Sequence, residues 1–223
     1  MTTFHPRLDG AGRKVPIHRP SKPSPASAWA DPLATVVVVP GGHVPPELHG
    51  VAFEVWSLPD RAWWEAAAGS AAVAEPPFEC PAHMEPAAGV VMLEPDGRIW
   101  LARPTNQFGG VGHVVPKGRL DSESPAAAAL RECWQETGLL VHLDGHLADL
   151  PRSTTFTRFY IGRRVGGSPA SMGWESEASV LAPPARLGDL LSGPHDAPLV
   201  AAILAHIQRH GGTGVKKAGL RRL

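Results

Sequence analysis

Glu132, Gln135 and Glu136 stand three and four residues apart in the run SPAAAALRECWQETGLL. If that run is helical, the three side chains share one face. The run carries its own start and stop signals. Ser124 can cap a helix whose first residue is Pro125, where the missing N–H costs nothing. Ala126 to Ala129 are the strongest helix formers. Gly138 follows Thr137, and glycine enters the left-handed cap cheaply. Two carboxylates on one face repel each other unless something positive lies between them. Taken alone, such a face reads as solvated, with Arg131 as its counter-charge. Its surroundings favour chemistry. The turn Pro116-Lys117-Gly118 brings backbone groups beside the acidic face, and Glu123 sits just before the cap. Carboxylate oxygens plus a backbone carbonyl suit magnesium, a hard cation that keeps several waters and shares itself with substrate phosphates.

This stretch resembles the signature box of the Nudix hydrolases. That pattern is glycine, five residues, glutamate, seven residues, then Arg-Glu, an aliphatic residue, any residue, Glu-Glu, any residue, glycine, aliphatic. The chain has Gly118, Glu123, Arg131-Glu132, Cys133, Trp134, Gln135-Glu136, Thr137, Gly138 and Leu139. It departs from the pattern twice. Four residues separate Gly118 from Glu123, so the loop is one residue short, and Gln135 replaces the first glutamate of the Glu-Glu pair.

The resemblance implies an α/β/α sandwich with a mixed sheet, and hydrolysis of a diphosphate linked to another group. It implies Mg2+ (or Mn2+) as cofactor and a small nucleotide-type molecule as substrate. Glu132 and Glu136 would bind the metal or activate water, Arg131 would orient Glu123, and the Lys117 carbonyl would be a further ligand. Gln135 would be a weak metal contact, because an amide oxygen carries no net charge. A last acid is sought in the stretch GWESEAS, where Glu175 and Glu177 are candidates and Glu177 is preferred. Lys117 and Arg119 flank Gly118 and could approach a phosphate. The Pro-Lys-Gly start resembles members that act on dinucleoside polyphosphates and nucleoside triphosphates. Phe108, Arg158 and Tyr160 could stack on or pair with a base, against a reading in which strand aromatics fill the core. A second reading, motivated by Gln135 and the short loop, is a ligand-sensing module with weak or no catalysis.

The rest of the chain sets bounds. Its 223 residues are 43% hydrophobic, enough for one ordinary domain and a small extra one. The formal net charge of zero disfavours a general nucleic-acid binder, and action on capped RNA with it. No apolar run approaches ~18 residues, so no membrane span is expected. Two cysteines do not make a disulfide framework, and with no secretory leader evident a cytoplasmic setting is expected.

Residues 1–33 are proline-rich and aperiodic, which predicts a disordered or loosely packed arm. Residues 34–72 predict a small α/β unit: strands at 34–40 and 51–56, then a short helix ending near Gly69. That unit could pack on the following domain or build a dimer contact through Trp56, Trp63 and Trp64. Residues 73–84 read as a linker, and residues 85–212 as the Nudix-like domain. Within it, 87–94 and 98–104 form a hairpin around Pro95-Asp96-Gly97. Residues 154–164 alternate as a strand, and 196–210 form an apolar helix. Residues 213–223 read as a basic flexible tail.

Overall fold

The computed structural model describes residues 3–57, 59–110 and 112–210. The chain runs β1 (Thr3–Leu8), β2 (Lys14–Ile17), β3 (Val36–Val38), β4 (Glu47–Leu48), β5 (Val51–Ala52) and α1 (Arg61–Ala71). It continues through β6 (Glu85–Leu93), β7 (Ile99–Pro104), β8 (Lys117–Arg119), α2 (Pro125–Thr137), β9 (Leu139–Pro151) and β10 (Thr155–Gly167). It closes with β11 (Ser176–Ala182), α3 (Leu187–Leu190) and α4 (Ala197–His210).

The described residues form a seven-stranded mixed sheet in the order β3-β11-β7-β6-β10-β9, with β8 on β6. The β6–β10 pairing is parallel and the others are antiparallel. Strand alternation divides the core in two. Val90, Met92, Trp100 and Tyr160 pack with Trp64 of α1 and with Leu130, Cys133 and Trp134 of α2. Val91, Ile99, Leu101, Phe159 and Ile161 face the other way and pack with Leu187, Leu199 and Ile203. The result is the predicted α/β/α sandwich with a mixed sheet. Cys133 is fully inside it, and burial pushes its thiol up to about 12.

The N-terminal third departs from expectation. Residues 3–17 are no loose arm: β1 and β2 pair as an antiparallel hairpin, with His5 and Ile17 buried. Trp29 is buried edge-on to Phe53 at 5.6 Å. The buried Arg98 guanidinium donates to the carbonyls of Trp29 (2.7 Å), Ala28 and Asp31 (3.2 Å each). Prolines remove periodicity from this segment but not its ability to fill a groove. Residues 34–72 are not a separate unit, because β3 joins the main sheet on β11 and α1 lies on α2. The strand expected over 51–56 shrinks to Val51–Ala52. Trp64, considered for a dimer contact, is buried 6.3 Å from Trp134, while Trp56 and Trp63 stay exposed. The aperiodic residues 73–84 nonetheless supply packing partners, Glu75 and Phe78. The tail 213–223 lies outside the described residues. Among the described residues no helix is long and apolar enough to cross a membrane.

Candidate active site

Helix α2 forms as its sequence dictates. The Ser124 hydroxyl accepts the Ala127 N–H, Pro125 stands in the first turn, and Gly138 closes the helix at φ 73°, its N–H returning to Trp134. Gly138 has no room for a side chain, because a Cβ there would run into the Ser168 carbonyl. With both ends fixed, α2 presents Arg131, Glu132, Gln135 and Glu136 toward β8.

Arg131 is the hub. Its Nε donates to Glu123 at 2.7 Å, its Nη1 to Glu132 at 2.5 Å and to Gln135 at 3.0 Å, and its Nη2 to the Arg119 carbonyl at 2.9 Å. Four of the expected site residues thus meet through one guanidinium. The Gln135 amide oxygen faces that cation as Glu132 does, but being uncharged it adds no negative charge to the face. Gly118 lies against Glu132, whose carboxylate occupies the place a Cβ would take. The Lys117 N–H donates to Glu136 Oε2 at 3.1 Å, which ties β8 to the helix.

The electrostatics are unbalanced. Burial raises the Glu132 carboxyl above the ordinary range despite Arg131 beside it. Glu136 is held well above that range, first by burial and then by the negative charge of Glu132; Lys117 only partly offsets this. Glu175 adds negative charge to both. Carboxyls crowded in this way suit a hard divalent cation, which would neutralise them. Among the described residues no three His, Cys, Asp or Glu side chains close on one point. That fits a cation held by one or two carboxylates plus water and phosphate oxygens rather than by an all-protein cage.

A cavity of about 870 Å3 opens on this face. Lys117, Glu136 and Glu175 lie on its wall, with Phe108 and Trp174 as its aromatic lining and Val15 contributed by β2. At another part of the wall Arg152 pairs with Asp196 and donates to the His195 carbonyl. The wall near Phe108 is held by Asn106, whose side chain accepts the His18 N–H at 2.9 Å and donates to the Pro16 carbonyl at 2.8 Å.

Other expected residues fall elsewhere. Glu177 points away: it is 2% exposed and pairs with Arg103 at 2.6 Å, with Ser21 donating to it at 3.2 Å. Glu175 takes its place on the cavity. What separates the two is the strand's start: Glu177 is buried within β11, whereas Glu175 precedes it in the loop, and the register with β7 shifts between Ser176 and Ala178. Arg158 and Tyr160 do not line the cavity. Arg158 is 1% exposed, forked onto Asp149 at 2.8 and 2.7 Å, and Tyr160 donates to Glu75 at 2.5 Å. Both are structural, because a buried cation and phenol need these partners. Arg119 is turned outward to Glu85 at 2.6 Å. Phe108 lies 85% exposed on the cavity wall. Trp174, Arg152 and Asn106 were not singled out in the sequence; Trp174 alone carried a signal, as an aromatic beside an acid after a glycine.

An α/β/α sandwich that lays a carboxylate-bearing helix beside a Pro-Lys-Gly strand defines a class of fold and site. The chain belongs to the NUDIX domain family, whose pattern matches residues 83–199. It is 35% identical over 75 residues to an RNA pyrophosphohydrolase of Novosphingobium aromaticivorans, across 30% of this chain and 47% of that protein. It is 42% identical over 60 residues to an RNA pyrophosphohydrolase of Caulobacter vibrioides, across 26% of this chain and 34% of that one. The chain therefore spans less than half the length of these curated relatives. An ADP-ribose pyrophosphatase structure from Streptococcus suis aligns at 21% identity, covering 55% of this chain and 90% of that one, with a TM-score of 0.46.

Proposed function

We propose that this chain hydrolyses a pyrophosphate bond in a nucleotide-type substrate, with Mg2+ or Mn2+ held at Glu132 and Glu136. The observation that carries this reading is the placement of Glu136. It belongs to the acidic helix face hinged on Arg131 and also lines the cavity with Lys117 and Glu175. A divalent cation there would neutralise phosphate oxygens and acidify water. The protein's own residues do the rest. Arg131 fixes Glu123 and Glu132, so the acidic face keeps one geometry. The Lys117 N–H holds one oxygen of Glu136, and Lys117 lies on the cavity wall, where its positive charge would favour phosphate. Glu175, exposed on the cavity wall, is placed to take the proton of the attacking water. Phe108 and Trp174 offer flat faces to a base.

The curated relatives are named RNA pyrophosphohydrolases, which puts RNA among the substrates to try first. The experiment is a hydrolysis screen with Mg2+ or Mn2+ over nucleoside triphosphates, ADP-ribose, nucleotide sugars, dinucleoside polyphosphates and RNA bearing a 5′-triphosphate. Release of a mononucleotide, phosphate or pyrophosphate supports the proposal. Tight binding of one of these without turnover would replace it with the sensing reading.

A further inference from the structure

The loop from Gly118 to Glu123 places two non-glycine residues in succession in the left-handed region, Asp121 at φ 47° and Ser122 at φ 67°. That conformation is unfavourable for residues bearing a side chain and persists only when its surroundings impose it. The surroundings here come from α1, which lies outside the residues matched by the NUDIX pattern. Glu65 accepts the Ser124 N–H at 2.8 Å through Oε1 and the Ser124 hydroxyl at 2.7 Å through Oε2. Arg61, one turn earlier, donates to the Ser122 carbonyl. Helix α1 is itself anchored by Asp60, which caps it through the Trp63 N–H, and by Trp64, buried against Trp134. Ser124 in turn caps α2, and its neighbour Glu123 holds Arg131. An unbroken path of bonds therefore runs from Glu65 through Ser124 and Glu123 to Arg131 and Glu132.

We propose that Glu65 is a positioning residue for the catalytic helix: it clamps the shortened loop so that Glu123 meets Arg131. The proposal rests on the hydrolase reading above for its kinetic consequence, not for its geometry. Capping alone would account for a stability effect. Positioning adds that the reacting geometry suffers while substrate affinity does not.

The test compares wild type with Glu65→Ala, Glu65→Gln and Ser70→Gly. The last weakens α1 near its end without touching the loop. Each is measured for kcat, KM and Tm, and for amide hydrogen exchange over residues 119–124. Glu65→Ala should lower kcat about tenfold or more with KM within about twofold. It should also speed exchange at Ser124 while the body of α2 stays protected. Glu65→Gln should retain most of kcat, because the amide can still accept from the Ser124 N–H and donate to its hydroxyl. Unchanged kcat in Glu65→Ala would overturn the proposal. So would equal kcat losses in Glu65→Ala and Ser70→Gly. If the wild type is inert on every substrate, the hydrolase reading falls, and exchange at Ser124 decides the clamp by itself.

Discussion

The Lys117 backbone N–H donates to Glu136 at 3.1 Å, so strand β8 and the helix that follows it are joined at a half-buried carboxylate. Burial and the charge of Glu132 raise the proton affinity of that carboxyl in the folded chain. The sign follows. A carboxyl whose folded value lies above its unfolded one opposes folding whenever it is ionised. Glu136→Gln keeps an oxygen for the Lys117 N–H and removes the charge. In metal-free buffer at neutral pH, its Tm should rise by about 2–4 °C. A fall in Tm would mean that the carboxylate is already neutralised within the chain.

Gly118→Ala should spare the fold and damage the site. Gly118 is not among the glycines with positive φ, so its backbone suits alanine; the obstacle is the Glu132 carboxylate against it. That side chain can swing aside, which shifts Tm by no more than about 2 °C but moves a metal-site group. Turnover should drop about a hundredfold, since misplacement of about 1 Å carries such a penalty. Wild-type turnover in Gly118→Ala would detach Glu132 from the chemistry.

Residues before 31 hold part of the core, which a proline-rich composition conceals. Trp29→Ala should cost about 3–5 kcal/mol, as expected for emptying a buried aromatic site. Denaturant unfolding measures it, and a loss below about 1 kcal/mol would restore the loose-arm reading.

The reach of the sequence differed from region to region, for physical reasons. Helix α2 was legible to the residue because its signals are local: a serine cap, a proline in the first turn and a terminal glycine. The meeting of Glu123 and Glu132 at Arg131 follows from helical spacing and the box pattern. What failed was non-local. Nothing local says that β3 pairs with β11, or that Trp29 seals the groove over Trp100. Alternation put Arg158 and Tyr160 on one side of a strand, but whether that side meets a cavity or a helix depends on the layer above it. The choice between Glu177 and Glu175 is hidden for a related reason, since nothing local says that β11 begins at Ser176 and leaves Glu175 in the loop on the cavity.

Asp149→Asn tests the structural account of Arg158. Burial pushes the Asp149 carboxyl up, but hydrogen bonds from Arg158 and His146 outweigh it and leave the carboxyl below its ordinary value. A lowered carboxyl contributes stability above its unfolded value, and loses it as pH falls through the folded one. Asp149→Asn should therefore cost roughly 2 kcal/mol near neutral pH, leaving the buried guanidinium with Glu75 as its remaining carboxylate. The gap from wild type should close on acidification below about pH 4, where the wild-type carboxylate also begins to take up its proton. A gap that is constant with pH would assign the effect to packing alone.

If the acidic face of α2 performs metal-dependent hydrolysis, the rate must follow Mg2+ concentration and must need Glu136. Wild type and Glu136→Gln are compared on whichever substrate turns over, each across the same Mg2+ titration. The wild-type rate should need Mg2+, and the Glu136→Gln rate should be lower by about three orders of magnitude or more at saturating Mg2+, equivalent to roughly 4 kcal/mol in the barrier. Equal rates for the two proteins, or a wild-type rate indifferent to Mg2+, would contradict it.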